Sequence, residues 1–340
     1  MTKSYNIDPR SFVAAQDFIL SVKTYWTTQL YPQLDQNSPI EEIEQTVDYK
    51  FFAWLERHLQ RFKYSGRYGI HHFQNQFRTE IIEKFSDNDL LILDEELELP
   101  NYYTAIDIHQ HPGGLWGDDI AGTVYERGAR STTPLGADAH HDLHHRLTTI
   151  ATSDYHPDKI LDMACGFGKS TQPFYDAFPK ADIIGIDLSA PCLKLAAYLA
   201  NENQIKNVHY QQANAEDTPF KNDAFNLVTS TMLLHELPPK SIEAVFAEAH
   251  RVLSPGGKMV HLDFYLLPTE FNRFIHKGHS ERNNEPFMDP FSKMNLKQIL
   301  GNQGFTNISI EPFEEADGTL ATNYEPWRFP WTLILAEKKA

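Results

Sequence analysis

The sequence predicts an α/β protein: a doubly wound, largely parallel sheet of seven strands with an antiparallel pair at its C-terminal edge, preceded by a mainly helical domain. Three observations predict it. From residue 159 onward, short apolar runs alternate with helical stretches, the pattern of a parallel sheet wrapped by helices on both faces. The last two apolar runs follow one another with too little chain for a helical crossover, so they form an antiparallel edge pair. Residues 8 to 100, by contrast, carry apolar residues three and four apart, the period of a helix.

Taken in order, Phe12, Phe18, Ile19, Val22, Tyr25, Trp26 and Leu30 predict a first helix, stopped near Pro32. Ile43, Val47, Phe51, Trp54, Leu55, His58 and Leu59 predict a second, and Phe73, Phe77, Ile81, Ile82 and Phe85 a third. These aromatic stripes read as core. Residues 101 to 137 are rich in Gly and Pro and hold no period, which suits a lid or binding loop. A helical pattern returns at 138–152. The strands are then KILDMA, ADIIGIDL, VHYQQA, AFNLVTST, GKMVHLDFYLL, FTNISIEPF and WTLILAEKK, with helices after the first, second and fourth and again before the sixth. With 340 residues the chain exceeds the usual single domain. The boundary falls near 137, giving a helical domain over 1–137 and an α/β domain over 138–340, with 268–291 as an insertion.

Hydrophobic residues make up 41% and charged residues 22%, the proportions of a globular protein. The formal charge of −16, with no basic patch, argues against a protein that grips nucleic acid. Two cysteines, Cys165 and Cys192, do not make a disulfide scaffold. No run approaches the ~18 apolar residues of a membrane span, and the N-terminus lacks the apolar core of a signal peptide. A reduced, cytoplasmic protein is expected.

The chemistry centres on Ile160-Leu-Asp-Met-Ala-Cys-Gly-Phe-Gly-Lys-Ser-Thr171, a buried strand running into a glycine turn that opens a helix. Glycines there let a ligand approach the backbone, and the helix N-terminus offers unpaired N–H groups. Asp187 ends the next strand, about 20 residues on, where an acid accepts hydrogen bonds from both ribose hydroxyls of a nucleoside. The competing role for Asp187 is a helix cap, which Ser189 serves equally well. A dinucleotide turn wants a third glycine or alanine where this chain has Thr171, and Asp162 would repel a pyrophosphate. An acid reaching an ammonium, directly or through water, beside N–H groups for a carboxylate suits a zwitterion better.

On these residues, 159 to 264 resemble a class I S-adenosylmethionine (SAM)-dependent methyltransferase, of the broad family that includes ubiquinone/menaquinone-type enzymes, with a Rossmann-like sheet. The family's Asp-x-Gly-x-Gly-x-Gly motif matches Asp162 to Gly168, with Ala164 in place of the first glycine, tolerable where that residue keeps a negative φ. Asp187 and Leu188 match the ribose and adenine contacts. Ala213-Asn-Ala-Glu-Asp-Thr-Pro-Phe220 matches the segment after the third strand, with Asn214 where the family's aspartate accepts from the adenine amino group, beside Ala215 and Glu216. Ser230-Thr-Met-Leu-Leu-His-Glu-Leu-Pro238 resembles the segment beneath the cofactor and contributes Thr231, and Arg251-Val-Leu-Ser-Pro-Gly-Gly-Lys258 the turn before the fifth strand. The resemblance implies SAM as cofactor, bound by Asp162, Ala164, Gly166, Gly168, Asp187, Leu188, Asn214, Ala215, Glu216 and Thr231. It also implies that segments before the core and after the fifth strand cap the site and choose the substrate, so that 138–340 is the SAM-binding domain and 1–137 with 268–291 the cap.

Sixteen histidines are present. His140/His144 and His141/His145 fall four apart on one helix, a spacing that suits a metal, but no second ligand cluster joins them and no metal is expected. The helix before the first strand brushes the cofactor in related enzymes, which makes His144, with His145 and Arg146 beside it, a candidate contact. Methyl transfer to a hydroxyl or an acidic carbon needs a base. His235, followed by Glu236, lies at the end of the fourth strand, and His109, His111 and Tyr125 descend from the irregular segment; the histidines are the candidate catalytic bases, with Glu236 assisting, and Tyr125 is a candidate cofactor contact. The expected reaction is O-methylation of a small-molecule acceptor such as a hydroxylated secondary metabolite. N- or C-methylation is the alternative, and a non-enzymatic SAM-binding partner subunit a weaker one, since the glycine turn and Asp187 are intact. The N-terminal helices serve a homodimer interface equally well.

Overall fold

A computed structural model describes residues 8–85, 88–130, 137–314 and 331–340, with the backbone alone for 137–142. Its sheet has eight strands: β1 (Leu91–Ile92), β2 (Lys159–Met163), β3 (Asp182–Asp187), β4 (Val208–Gln212), β5 (Phe225–Thr231), β6 (Leu253–Asp263), β7 (Phe305–Pro312) and β8 (Thr332–Lys338). Their order is β1-β4-β3-β2-β5-β6-β8-β7, parallel through β6, after which β8 inserts antiparallel between β6 and β7. The predicted doubly wound sheet and antiparallel edge are both present. The strand count is eight rather than seven. The extra strand is two residues long, too short to carry a period, and it joins the helical region to the sheet by pairing Leu91 with Tyr210.

The central strand β2 shows why the parallel part forms. Ile160, Leu161 and Met163 are each 0% exposed, so both faces are buried and the strand is a continuous apolar run. One face packs with Phe174, Leu193, Ala196 and Leu227, the other with Val228, Val245, Phe246 and Ala249. The chain leaves β2 toward β3 and leaves β5 toward β6, so the winding reverses between the adjacent strands β2 and β5. The crevice beyond the carboxyl ends of those two strands is where open α/β sheets bind ligands.

The helical region keeps its predicted stripes but divides them differently. The first helix runs Pro9–Tyr25 and continues as a π turn, Trp26–Leu30, with Phe12, Ile19, Trp26 and Leu30 buried and Phe18 and Tyr25 exposed. The second begins at Val47, because the Thr46 hydroxyl accepts the Tyr49 N–H at 3.1 Å and caps a new helix, Val47–Tyr64. Helix Ala121–Ala129 lies inside the segment expected to be irregular. Its glycines point to a loop, yet a Cβ on Gly122 would stand 2.3 Å from the Pro191 carbonyl and one on Gly128 would strike the Tyr64 ring. They are there for close packing on helix Ala190–Glu202 and on helix Val47–Tyr64, not for freedom of turn. Helix Glu270–Asn283, after β6, packs its Phe271 and Ile275 among Ile19, Trp26, Tyr31 and Phe52. Among the described residues no helix is long and apolar enough to cross a membrane.

Candidate active site

The helical region and the crevice between β2 and β5 enclose a cavity of about 310 Å³, within the ~300–1,000 Å³ usual for small-molecule sites. Its wall has two chemical characters. The first comes from loops at the carboxyl ends of β2 to β5, with Ala164, Gly166, Asp187, Leu188, Asn214, Ala215, Glu216 and Thr231. The second is an ionic wall assembled from distant segments, with Lys23, Glu56, Lys63, His109, His235, Glu236, His279 and Glu285. Tyr125 joins the two: its ring lies 6.3 Å from that of His109, 5.7 Å from that of Phe167, and in contact range of a Cβ built on Gly166.

In the first wall the Asp187 carboxylate accepts the Gly166 N–H at 2.9 Å and the Ser189 N–H at 2.8 Å. Ser189, not Asp187, caps the following helix, accepting the Cys192 N–H at 3.3 Å. Asp187 is thereby released from the structural role that competed with ligand binding. Burial raises its pKa to about 6, against the pull of those two N–H groups. The turn itself is strained. Ala164 takes φ +56°, so the condition under which alanine replaces glycine at no cost is not met; a left-handed non-glycine residue costs ~1–2 kcal/mol. Asn214 Oδ1 already accepts the Glu216 N–H at 3.0 Å and keeps one lone pair for a ligand. Glu216 accepts the Tyr102 hydroxyl at 2.6 Å, which ties the short helix Asn101–Thr104 to the core. Thr231 Oγ1 is buried with no hydrogen-bond partner among the described residues.

The second wall is a chain of charge pairs. His109 Nδ1 stands 2.8 Å from Glu285 and Nε2 3.1 Å from Glu236, so both ring nitrogens donate to carboxylates and the ring is an imidazolium. Burial opposes that charge, but the two acids outweigh it and raise the pKa to about 10. His109 and Gln110 also take left-handed φ of 54° and 56°, a strain found at sites the surrounding structure over-determines. His235 Nδ1 lies 2.7 Å from Asp263, and its Nε2 stands 4.0 Å from Glu236. Asp263 also accepts the N–H groups of Leu234 and Phe264, both at 2.7 Å, which fixes the short turn carrying His235. Burial lowers and Asp263 raises the His235 pKa, to about 9 in balance. Glu56 accepts from His279 at 2.6 Å and pairs with Arg282.

Most of the residues expected from sequence line the cavity: Ala164, Gly166, Asp187, Leu188, Asn214, Ala215, Glu216, Thr231, Tyr125, His144, His109, His235 and Glu236. Three lie behind its wall. Asp162 is fully buried and spends one oxygen on the hydroxyls of Ser170 and Thr171, each at 2.7 Å, so it braces the turn from beneath. Gly168 faces β4, where a Cβ would come within 2.6 Å of the Tyr210 hydroxyl. His111 is fully buried against the Tyr64 ring, and burial lowers its pKa to about 4, which leaves a neutral side chain away from the cavity. Arg146 turns away to the Glu314 carbonyl at 3.0 Å. The side chains of His140 and His141 lie outside the described residues, among which no group of three metal-ligating side chains occurs. Sequence reasoning passed over Lys23, Glu56, Lys63, Tyr102, Asp263 and Glu285. A signal existed for three: Lys23 falls in the buried register Phe12, Ile19, Trp26, and Glu56 and Lys63 in the register Phe52, Leu59. A charge on an apolar stripe is costly unless something answers it.

Residues 160–257 match the family model described as a methyltransferase domain. The chain is 37% identical over 106 residues to a demethylmenaquinone methyltransferase of Lactiplantibacillus plantarum, covering 31% of this chain and 44% of that one. It is 33% identical over 135 residues to a ubiquinone/menaquinone biosynthesis C-methyltransferase of Shewanella sp., covering 39% and 53%. An uncharacterized methyltransferase of Synechocystis sp. is 35% identical over 107 residues, covering 32% and 47%. The chain thus spans about half the length of the curated relatives it matches.

Proposed function

We propose, on the premise that residues 160–257 are a class I methyltransferase domain, that this chain transfers the methyl group of SAM to a small-molecule acceptor, with oxygen as the methylated atom. One observation carries the reading: a single cavity holds a nucleoside-type wall, centred on Asp187, and a histidine–carboxylate wall, centred on His235. The residues present fit the cofactor. The Asp187 carboxylate is freed from capping, Gly166 leaves the backbone open to an approaching ligand, and the buried Thr231 hydroxyl wants a partner. Asp187 would hold the ribose, Leu188, Asn214 and Ala215 the adenine, and the turn Ala164–Phe167 the methionine part, with Tyr125 and His144 closing over it. Bound there, SAM would supply an electrophilic methyl group, which would bond to the acceptor atom in line as its bond to sulfur breaks and S-adenosylhomocysteine leaves.

The rest falls to the chain. Residues 1–137 and 268–291 form the cap that shapes the acceptor's space and excludes water. His109, held by Glu236 and Glu285, is a fixed cation and a positioning group rather than a base. His235 keeps Nδ1 on Asp263 and turns Nε2 toward the cavity, so its neutral form takes the acceptor's proton there. A carbon acceptor is the second reading, favoured by the relative named as a C-methyltransferase; the same base would serve an acidic hydroxyl or an acidic carbon.

Calorimetry with S-adenosylhomocysteine tests the cofactor half. Micromolar binding is expected for the wild type, weakened at least tenfold in Asp187→Ala, since a lost pair of ribose hydrogen bonds is worth over ~1.4 kcal/mol. No binding to the wild type overturns the reading. Transfer of a labelled methyl group from SAM to a panel of hydroxylated aromatics, with the product's methyl resonance assigned, separates oxygen from carbon.

A further inference from the structure

The helical cap brings two lysines into the cavity wall that the methyl-transfer reading does not use. Lys63 is 1% exposed and Lys23 is 6% exposed, and both line the cavity. Lys63 is poorly answered for a buried ammonium. Its Nζ reaches the Gly128 carbonyl at 3.5 Å, beyond the ~2.7–3.2 Å of a good hydrogen bond, and lies 4.5 Å from the centre of the Tyr64 ring. No ion pair joins it to a carboxylate among the described residues. Burial pushes its pKa well below the usual lysine range, Lys23 pushes it further, and only Glu285 opposes. Leaving such a nitrogen unpaired is expensive unless a ligand completes it.

Resting on the function proposed above, we infer that Lys63, with Lys23 beside it, forms the acceptor-selecting subsite and takes the carboxylate of an acceptor that also carries the hydroxyl to be methylated. A monoanion fits better than a phosphate. Glu56, Glu236 and Glu285 stand in the same wall, and a dianion there would meet their charge as well as the two lysines. The surrounding Trp26, Leu59, Tyr64 and Met288 provide an apolar sleeve for a flat or extended body between carboxylate and hydroxyl.

The test uses the full chain loaded with S-adenosylhomocysteine. 4-Hydroxybenzoate and 4-hydroxycinnamate are titrated calorimetrically, each against its methyl ester. The wild type is expected to bind at least one acid tenfold or more tightly than its ester. Lys63→Met and Lys63→Gln lose that preference while keeping their affinity for S-adenosylhomocysteine. With lysine labelled at Cε, the wild type also shows one buried lysine resonance moving to its protonated position on addition of the acid and not of the ester, a readout that needs no variant. Absence of acid preference in the wild type, its survival in both variants, or an unmoved resonance overturns the inference. Loss of S-adenosylhomocysteine binding by the wild type itself strikes the methyltransferase reading instead, so the two failures are distinct.

Discussion

The two walls of the cavity are made in opposite ways. The wall around Asp187 comes from turns at the ends of consecutive strands, and each of its residues lies within a few positions of a strand that places it. The wall around His235 is drawn together from five stretches: helix Pro9–Tyr25, helix Val47–Tyr64, the Ile108–Gln110 turn, the Leu234–Glu236 turn after β5 and the chain after β6. One wall holds its charge with backbone N–H groups, as Asp187 does with Gly166 and Ser189. The other, Lys63 apart, answers charge with charge, side chain to side chain, as Glu285 does with His109. Under the proposed function, the difference separates a wall built to recognise one constant ligand from a wall that can be rebuilt for a new acceptor by changing side chains on a cap.

The sharpest way to break this comparison is to remove the proton acceptor proposed for the ionic wall. His235→Gln keeps a donor toward Asp263 but no titrating nitrogen toward the cavity. General-base catalysis typically contributes ~10²–10⁴-fold, and a loss of that size in kcat is expected, with S-adenosylhomocysteine affinity unchanged. The pH profile carries the sign. The base acts when neutral, and its pKa is raised to about 9, so kcat/KM climbs with pH up to about 9 and levels off above it. In His235→Gln that climb disappears. A wild-type profile flat from neutral pH to 9, or a variant that keeps the climb, would assign the proton to another group.

The same contrast explains what the sequence could disclose. Asp187, Gly166 and Asn214 are legible because a strand, its turn and the next helix are adjacent in sequence and their spacing is fixed by the fold. Asp162 and Gly168 belong to the same turn, yet they brace it rather than line the cavity, and spacing does not distinguish the two duties. On the other side, Glu285 and Lys63 meet in one cavity from positions far apart in the chain, and no local pattern records that. What was visible was the anomaly of Lys23, Glu56 and Lys63 on apolar stripes. The helix Ala121–Ala129 was hidden for the reverse reason, since glycines chosen for contact with a neighbour look like glycines chosen for a turn.

Within the nucleoside-type wall, the two glycines sharpen the comparison further. Gly168→Ala places a methyl group 2.6 Å from the Tyr210 hydroxyl at φ +83°. Left-handed backbone at ~1–2 kcal/mol and overpacking at ~1–3 kcal/mol predict a loss of about 2–5 kcal/mol in chemical denaturation. Tyr210→Phe, which removes the clashing oxygen, should recover part of it. Gly166→Ala meets only Tyr125 at 3.9 Å, so its stability cost is the smaller backbone part, and its main effect is weaker S-adenosylhomocysteine binding. Equal destabilisation by the two substitutions would mean that Gly166 also braces the fold.

The smallest effect expected is a gain. Ala164 holds φ +56° at the first position of the ligand turn, where glycine would rest without strain. Ala164→Gly removes ~1–2 kcal/mol of backbone strain and loses ~0.4–1 kcal/mol to the freer unfolded chain, which leaves a net stabilisation between about 0 and 1.6 kcal/mol. Because the wall is set by backbone N–H groups, that relief should loosen the turn, and S-adenosylhomocysteine affinity should fall slightly or stay level while the denaturation midpoint rises. Stability that falls instead would show that the Ala164 methyl, partly buried against the core cluster, contributes more than its conformation costs. The turn would then be a fixture of the core before it is a ligand loop.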